Sequence, residues 1–541
     1  MPDTDVTDTD VTDTTDTPTR SARKRQPLGL ALCVQLLLVF YQIRPLLWSA
    51  YNSDDVLTSQ WPMWRAYRGQ SLWSDFIATN SDFMRNKGRF FPGTVAEIMV
   101  VFEVFRSRQS YKVLQIVFVM LAWLAFVWFV QVCTRSIHYA VLAGWLALLT
   151  VHMRWFHDPL LGFAVQQPTL VICWFATLIL ATLAARADSR RRHLVLLVAA
   201  TVMWVATMLM YETAYSLVLA PLCILFSISD RSRRRRALAT IIVPTVLLLT
   251  WLVYLRANAA HPEPNLQLGF HTWQVIPTFV HQLTGTLPFS YELLAQDGTM
   301  PRMTSGWGVN GGWDVLALLA TVAMLVVCVR WLRPKPLDKD TSRVLLVAGG
   351  LMLLGPTTII SFTLRWQQGE VDWGLPYISV FISSLGLMLL VLVAISSLVR
   401  RFGSLASRPQ WARRVMLTAL VPVSLGVLAA PILIYDTNYW TVEQVAWLRT
   451  DREAFAQLVR DGGFDEVPAG STVITDNASE WFWENGAFVQ YYGGPQQLTL
   501  VLPTDPAAAA CGVSTTCYRL VTTVHDDGST THRIDVMQPA G

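Results

Sequence analysis

Charge is what this sequence has least of. Asp, Glu, Lys and Arg make up 15% of its 541 residues, against 53% hydrophobic ones. A soluble chain carries about 25% charged residues to cover its surface, so a set of ordinary globular domains is excluded and the bilayer is the natural solvent. GxSxG, HExxH and P-loop patterns are absent, which removes the serine hydrolase, zincin and P-loop ATPase readings. Cysteine is sparse as well. None of the seven is spaced as a zinc ligand or set beside a histidine at ligand distance, and no structural metal is expected. Cys33, Cys133, Cys173, Cys223 and Cys328 fall in apolar runs, whereas Cys511 and Cys517 fall in the polar C-terminal region; those two suit a disulfide outside a reducing compartment. The net charge is only +4, and the basic residues form short clusters between apolar runs. That distribution reads as membrane topology and not as a nucleic-acid surface.

Residues 1–19 are a low-complexity Asp/Thr tract with scarcely any apolar content. Such a segment buries too little surface to offset its ordering entropy, so 1–26 is expected to be a disordered cytosolic tail. Arg20, Arg23, Lys24 and Arg25 then precede an apolar run at about 27–49, long enough to cross ~30 Å of hydrocarbon. Basic residues before the first span place the N-terminus inside. Further spans are expected at about 113–133, 139–153, 160–184, 194–210, 214–229, 237–256, 313–333, 342–364, 376–399 and 415–435, eleven in all. Arg190–Arg192, Arg231 with Arg233–Arg236, Arg333 with Lys335 and Lys339, and Arg400, Arg401, Arg413 and Arg414 all fall in loops that this count assigns to the cytosol, as the positive-inside rule requires. An odd number of crossings puts the C-terminal region outside.

The loop at 50–112 departs from the rule, because it is assigned outside yet holds Arg65, Arg68, Arg85, Lys87, Arg89, Arg106, Arg108 and Lys112. Either these cations serve an anionic ligand, or the apolar segment 93–105 crosses and residues 106–112 are cytosolic. The first is preferred, since 93–105 is short and contains Glu97 and Glu103; an interfacial or re-entrant helix fits it better. From about 436 to 541 the composition turns polar. Thr441 to Val459 reads as an amphipathic helix, with Thr441 and Gln444 as a capping box and Val445, Leu448, Phe455 and Val459 on one side. STVIT, QLTLVL, CYRLVTTV and THRIDVM read as strands, the last two joined through Asp526, Asp527 and Gly528 as a hairpin. The expected fold class is therefore mainly α: a polytopic transmembrane bundle over 27–435 and a small extracytoplasmic α/β domain over 436–541.

Tyr51-Asn52-Ser53-Asp54-Asp55 stands where the chain leaves the first span. Paired carboxylates at a membrane surface can act as a general base, bind a metal ion or position a sugar hydroxyl; alternatively Ser53 or Asp54 simply caps the helix that starts near Val56. Arg85-Asn86-Lys87-Gly88-Arg89 sets cations beside a flexible glycine, which suits a phosphate or pyrophosphate or lipid headgroups in general. Tyr211-Glu212 lies at a tight outer turn between two spans, where a carboxylate either faces a cavity or is a hydrated turn residue. His152, Arg154, His157 and Asp158 form another polar outer turn, to be weighed as cavity lining or as interfacial anchors. Arg365, between two spans on the same side, can meet a phosphate across the bundle. Trp481, Phe482, Trp483, Tyr491 and Tyr492 stack on sugars or pack within the tail, packing being the commoner role.

One span, a long outer loop that opens with an acidic pair, many further spans and a soluble outer domain: this arrangement resembles the GT-C glycosyltransferases. Asp54-Asp55, Gly88-Arg89-Phe90 and Tyr211-Glu212 are similar to motifs in bacterial members that take sugars from polyprenyl-phosphate donors. The resemblance covers about 27–435 by architecture and implies an inverting transfer, metal-dependent or not, in which Asp54 or Asp55 is the acidic catalytic residue. It further implies that Arg89 and Arg365 hold the donor phosphate; on the reading of the loops above, Arg85 and Lys87 join them and Tyr211, Glu212, His157 and Asp158 line the cavity. A divalent cation is the one cofactor it allows. The tail reads Trp481-Phe482-Trp483-Glu484 in place of the WWD-type signature of oligosaccharyltransferases, which counts against peptide glycosylation. The expected partners are membrane lipid, a polyprenyl-phosphate-linked sugar and a glycan, lipid or protein acceptor in the cell envelope. A transporter or flippase of lipid-linked saccharides, or a non-enzymatic envelope assembly protein, are the competing readings.

Overall fold

Apolar runs become helices here because a chain in hydrocarbon must satisfy every backbone N–H and C=O within itself. The computed structural model describes residues 18–52, 54–154, 158–163, 165–262, 269, 272–290, 293, 312–368, 379–402, 410–475, 485–509, 511, 517–525 and 529–537. His157, the Trp481-Phe482-Trp483 triplet and the hairpin tip Asp526-Asp527-Gly528 lie outside the described residues. Helix α1 (Pro18–Ile43) starts within the segment expected to be a disordered tail and runs into a 3₁₀ turn at Arg44–Trp48. The first loop is helical: α2 (Asp54–Thr58), α3 (Trp61–Tyr67), α4 (Leu72–Asp82) and α5 (Pro92–Val104). The bundle continues with α6 (Arg108–Thr134), α7 (Ile137–Leu148), α8 (Gln166–Ala185), α9 (Arg190–Met210), a 3₁₀ turn at Glu212–Leu217, α10 (Leu219–Phe226), α11 (Arg231–Ala257) and α12 (Thr272–Thr284). After these come α13 (Gly312–Trp331), α14 (Lys339–Ser361), α15 (Leu364–Gln367), α16 (Val380–Phe402) and α17 (Gln410–Glu443).

Among the described residues eight helices are long and apolar enough to cross a membrane: Pro27–Trp48, Arg108–Thr134, Gln166–Ala185, Arg190–Met210, Arg231–Ala257, Gly312–Trp331, Lys339–Ser361 and Val380–Arg401. The expected count of eleven is not reached on this measure. In place of the spans expected at 139–153 and 214–229 stand shorter apolar helices, Ile137–Leu148 and Glu212–Phe226; α7, with 12 residues, rises about 18 Å, well short of the hydrocarbon thickness. The expected span 415–435 falls inside α17. Segment 93–105 is a helix, α5, of 13 residues, and its rise of about 20 Å is likewise too small for a crossing.

The bundle core is aromatic and aliphatic, with Trp174, Trp204, Phe126 and Phe175 wholly enclosed; the Trp174 and Trp204 rings lie 5.9 Å apart. Between α14 and α16 the backbones themselves touch, since a Cβ on Gly386 would stand 2.8 Å from the Gly349 carbonyl oxygen. Small residues permit this approach where apolar side chains gain nothing by leaving lipid. Gly386→Val is therefore expected to cost about 1–3 kcal/mol, read as a lowered thermal midpoint in detergent. Gly350→Ala, at a position with open space around the glycine, is expected to show no loss.

The C-terminal region joins α18 (Ala446–Arg460) and α19 (Asn485–Tyr491) to a four-stranded mixed sheet of order β2-β1-β3-β4. Strands β1 (Thr472–Thr475), β2 (Thr499–Val501), β3 (Cys517–Val524) and β4 (Thr530–Met537) coincide with the four runs read from the sequence. β1 is parallel to both β2 and β3, and β3 pairs antiparallel with β4 from Cys517↔Met537 to Val524↔Thr530. Cys511 and Cys517 form the disulfide that their position outside the apolar runs suggested. The capping box is corrected: Thr441 is interior to α17 and its hydroxyl donates to the Thr437 carbonyl at 2.9 Å. The long helix runs past the expected start of the next one, which begins only at Ala446 with no side-chain cap.

The first loop and the tail are packed together. Met63 of α3 sits in the tail core with Phe455, Val459 and Phe488. The Arg452 guanidinium lies 4.5 Å from the Tyr51 ring centroid and 5.5 Å from that of Phe488, and it donates to Ser59 Oγ at 3.0 Å. Tyr492 packs on Phe488 at 4.7 Å, inside the domain. The loop that opens with the acidic pair is thus held from both the bundle and the tail.

Candidate functional site

Asp54 and Asp55 form the first turn of α2, where the helix dipole favours negative charge. Successive helical residues point about 100° apart, and the two carboxylates have different surroundings. Asp55 turns inward and is fully buried. Tyr111 Oη donates to its Oδ2 at 2.6 Å, and Lys112 Nζ, also fully buried, lies 4.0 Å from the same oxygen. Lys112 donates in turn to Gln115 Oε1 at 3.2 Å, and Gln115 Nε2 donates to the Leu160 carbonyl at 2.8 Å. This chain of contacts ties the start of the first loop to α6. Asp54 is exposed, and its backbone carbonyl accepts from the Thr58 hydroxyl at 2.8 Å.

Gly88 brings a second part of the loop to the same region. It ends the π-helical turn Phe83–Lys87 with φ +67°, a left-handed conformation that favours glycine. A Cβ there would stand 3.0 Å from Arg256 Cα and from Ala259 Cβ, so the side chain is excluded by contact as well as by conformation. The N–H groups of Ala260 and His261 donate to the carbonyls of Arg85 (3.0 Å) and Asn86 (2.8 Å), fastening the loop to the end of α11. Arg89 follows, its guanidinium 4.3 Å from the Phe91 ring centroid.

Arg89 and Arg256 share Glu212. Arg89 Nε is 3.8 Å from Glu212 Oε1, and Arg256 Nη2 donates to Glu212 Oε2 at 2.9 Å. Glu212 is buried. Arg89 also hydrogen-bonds the Tyr211 hydroxyl. Burial pushes the Tyr211 phenol up from its usual range; Arg89 opposes that shift, while Glu212 and Asp54 add to it. Asp54, Arg89, Tyr211, Glu212 and Arg256 therefore converge from the first loop, the 3₁₀ turn after α9 and the end of α11. Two guanidiniums flank the Glu212 carboxylate, and guanidinium is a group suited to the oxygens of a phosphate. The exposed Asp54 carboxylate beside them can take up a proton.

The other expected site residues are placed differently. Arg85 is exposed, and Lys87 Nζ lies 5.0 Å from the Phe83 ring centroid. Arg365 lies on α15 with its guanidinium 5.2 Å from the Trp366 ring centroid. Helix α14, which leads to α15, packs on the Glu212–Leu217 turn, where a Cβ on Gly355 would meet Ser216 Oγ at 2.6 Å. Asp158 is fully buried and belongs to a separate knot. It lies 3.4 Å from Arg154 Nη1 and accepts from the Leu160 N–H at 2.9 Å, while Arg154 donates to the His152 carbonyl (2.8 Å) and to Ser384 Oγ (3.2 Å). Burial raises the Asp158 carboxyl and Arg154 lowers it, burial prevailing. Among the described residues no three His, Cys, Asp or Glu side chains are gathered as for a metal ion.

Sequence reasoning missed Arg256 and Tyr111, the first a lone cation at the outer end of an apolar run and the second a residue near the start of α6, each like an ordinary boundary residue; Lys112 was counted among the loop cations that serve an anionic ligand, whereas it is buried against Asp55. The same reasoning left Glu97 aside. Glu97 accepts from the Thr169 hydroxyl, while its Oε2 is enclosed with no partner among the described residues. Burial pushes the carboxyl up to about 7, against the pull of Thr169. Between the ordinary glutamate value and 7 the unfolded chain has lost this proton and the folded one keeps it, so stability falls as pH rises through that window. The thermal midpoint of Glu97→Gln relative to the wild type is expected to rise between pH 5 and pH 8; a difference that stays constant would refute this.

Fold and site together define a multi-pass helical membrane protein with a small disulfide-bonded α/β domain, consistent with an extracytoplasmic location for that domain. Compared with known family models and with curated proteins, the sequence gives no significant match.

Proposed function

We propose that the chain is a membrane glycosyltransferase that moves a sugar from a polyprenyl-phosphate-linked donor to a cell-envelope acceptor on the extracytoplasmic side, as the GT-C enzymes it resembles do. The observation that carries this reading is that Arg89 and Arg256 both pair with Glu212, with the exposed Asp54 carboxylate acting on the neighbouring Tyr211. Asp54 takes the proton of the acceptor hydroxyl as its oxygen attacks the anomeric carbon. The bond from that carbon to the phosphate oxygen breaks, and Arg89 and Arg256 stabilise the charge left on the lipid phosphate. A donor whose tail stays in the bilayer needs no nucleotide-binding domain, in keeping with the absence of a Gly-rich phosphate loop.

Proteoliposomes of the full chain, given a polyprenyl-phosphate-linked radiolabelled sugar and an envelope extract as acceptor, are expected to release polyprenyl phosphate and label the extract. Arg89→Gln is expected to lower the rate by about 10²-fold, the size of effect seen when one oxyanion donor is removed. Movement of intact donor across the membrane without cleavage would replace this reading with that of a flippase.

A further inference from the structure

The end of the bundle away from the tail carries a second polar assembly. Helix α6, 27 residues long, rises about 40 Å from Arg108, whose Nε lies 3.1 Å from Glu453 of the tail, to Thr134 at the far end. There Arg135 leaves the helix in a left-handed conformation, φ 54°. Its neighbour Arg186, at the end of α8, donates to the last carbonyls of α6, those of Val132 and Cys133. Burial and the charge of Arg135 both lower the pKa of Arg186, as expected of two cations held side by side. Arg135 itself makes no hydrogen bond or ion pair among the described residues.

Two cavities meet at this pair. One, of 350 Å³, is lined by Arg135, Arg186, Asp338 and Asp340; the other, of 390 Å³, by Arg135, Arg186, Trp128 and Leu183. Both lie within the size range of ligand pockets. Asp338 is committed to capping α14 through the Thr341 N–H at 2.7 Å, whereas Asp340, in the first turn of α14, is exposed and has no partner among the described residues. An arginine and an aspartate thus line one cavity without pairing. An occupant carrying an anion and a cation a few atoms apart neutralises both. The second cavity is lined by Trp128, which is 57% exposed near the end of a helix apolar enough to cross a membrane, and tryptophan is enriched where such helices meet the headgroups.

We propose that these joined cavities hold the headgroup of a zwitterionic phospholipid with a primary amine, its phosphodiester on Arg135 and Arg186, its ammonium on Asp340, and its acyl chains leaving past Trp128. Guanidinium is suited to the phosphate oxygens and carboxylate to the amine, each through charge-assisted hydrogen bonds. The site is independent of the proposed transferase centre.

The test is native mass spectrometry of the full chain in detergent, titrated with phosphatidylethanolamine, phosphatidylglycerol and phosphatidylcholine of equal chain length. The wild type is expected to retain phosphatidylethanolamine about tenfold more tightly than the other two. Arg135→Gln is expected to weaken all three, and Asp340→Asn to weaken phosphatidylethanolamine alone. Both positions are exposed and unpartnered, so unchanged thermal midpoints serve as the folding control. Equal retention of the three lipids by the wild type overturns the proposal, as does indifference of phosphatidylethanolamine to Asp340→Asn. Displacement of the lipid by an equal concentration of soluble phosphoethanolamine overturns the lipid assignment.

Discussion

Asp54→Asn is expected to lower sugar transfer by about 10²- to 10⁴-fold, the range of a lost general base, with no change in thermal midpoint and little change in the apparent affinity for donor. Its side chain is exposed and acts on Tyr211, the neighbour of the Glu212 that Arg89 and Arg256 share, so the amide is expected to leave the fold intact. The measurement is initial rate against donor concentration in proteoliposomes, with retained wild-type turnover as the outcome that removes Asp54 from the chemistry. A fall confined to donor affinity would instead make it a binding residue.

For the adjacent aspartate the expected result is the reverse. Asp55→Asn leaves the fully buried Lys112 ammonium without its counter-charge, and breaking a buried pair on one side costs about 3–5 kcal/mol. The variant is expected to unfold at a markedly lower temperature, or to be recovered in low yield. Combining Asp55→Asn with Lys112→Met removes the stranded charge and is expected to restore more than half of the lost stability, because an uncharged replacement no longer bears the desolvation cost. Equal thermal midpoints for wild type and Asp55→Asn would show that the buried pair contributes nothing. The two neighbouring carboxylates thus separate by readout: rate for Asp54, stability for Asp55.

Much of this architecture is legible in the chain because its signals are local. Apolar runs flanked by clusters such as Arg231–Arg236 mark the crossings, and alternating β-branched residues bounded by turn signals mark all four strands of the tail. The count of crossings is less legible, since 139–153 and 214–229 are apolar but only part of each is helical; hydropathy measures burial preference and not rise. The capping box failed for a related reason: nothing near Thr441 tells whether the preceding helix has already stopped. At the site, Gly88-Arg89 and Tyr211-Glu212 were visible as short polar islands. Arg256, which completes the group, was not, because a single arginine closing an apolar run is indistinguishable from a boundary anchor.

Composition and spacing alone determined that this chain belongs in a membrane and that its polar C-terminal region is built of helix and strand, with two cysteines placed to suit a disulfide. Tertiary structure decided which of the two adjacent aspartates is exposed and which is buried, and which arginines meet at Glu212. The physical reason is that hydropathy and strand alternation act between residues near in sequence. The surroundings of Asp55 and Glu212 are set instead by Tyr111 and Lys112 for the one and by Arg89 and Arg256 for the other, groups from distant parts of the chain that only folding brings within a few ångströms.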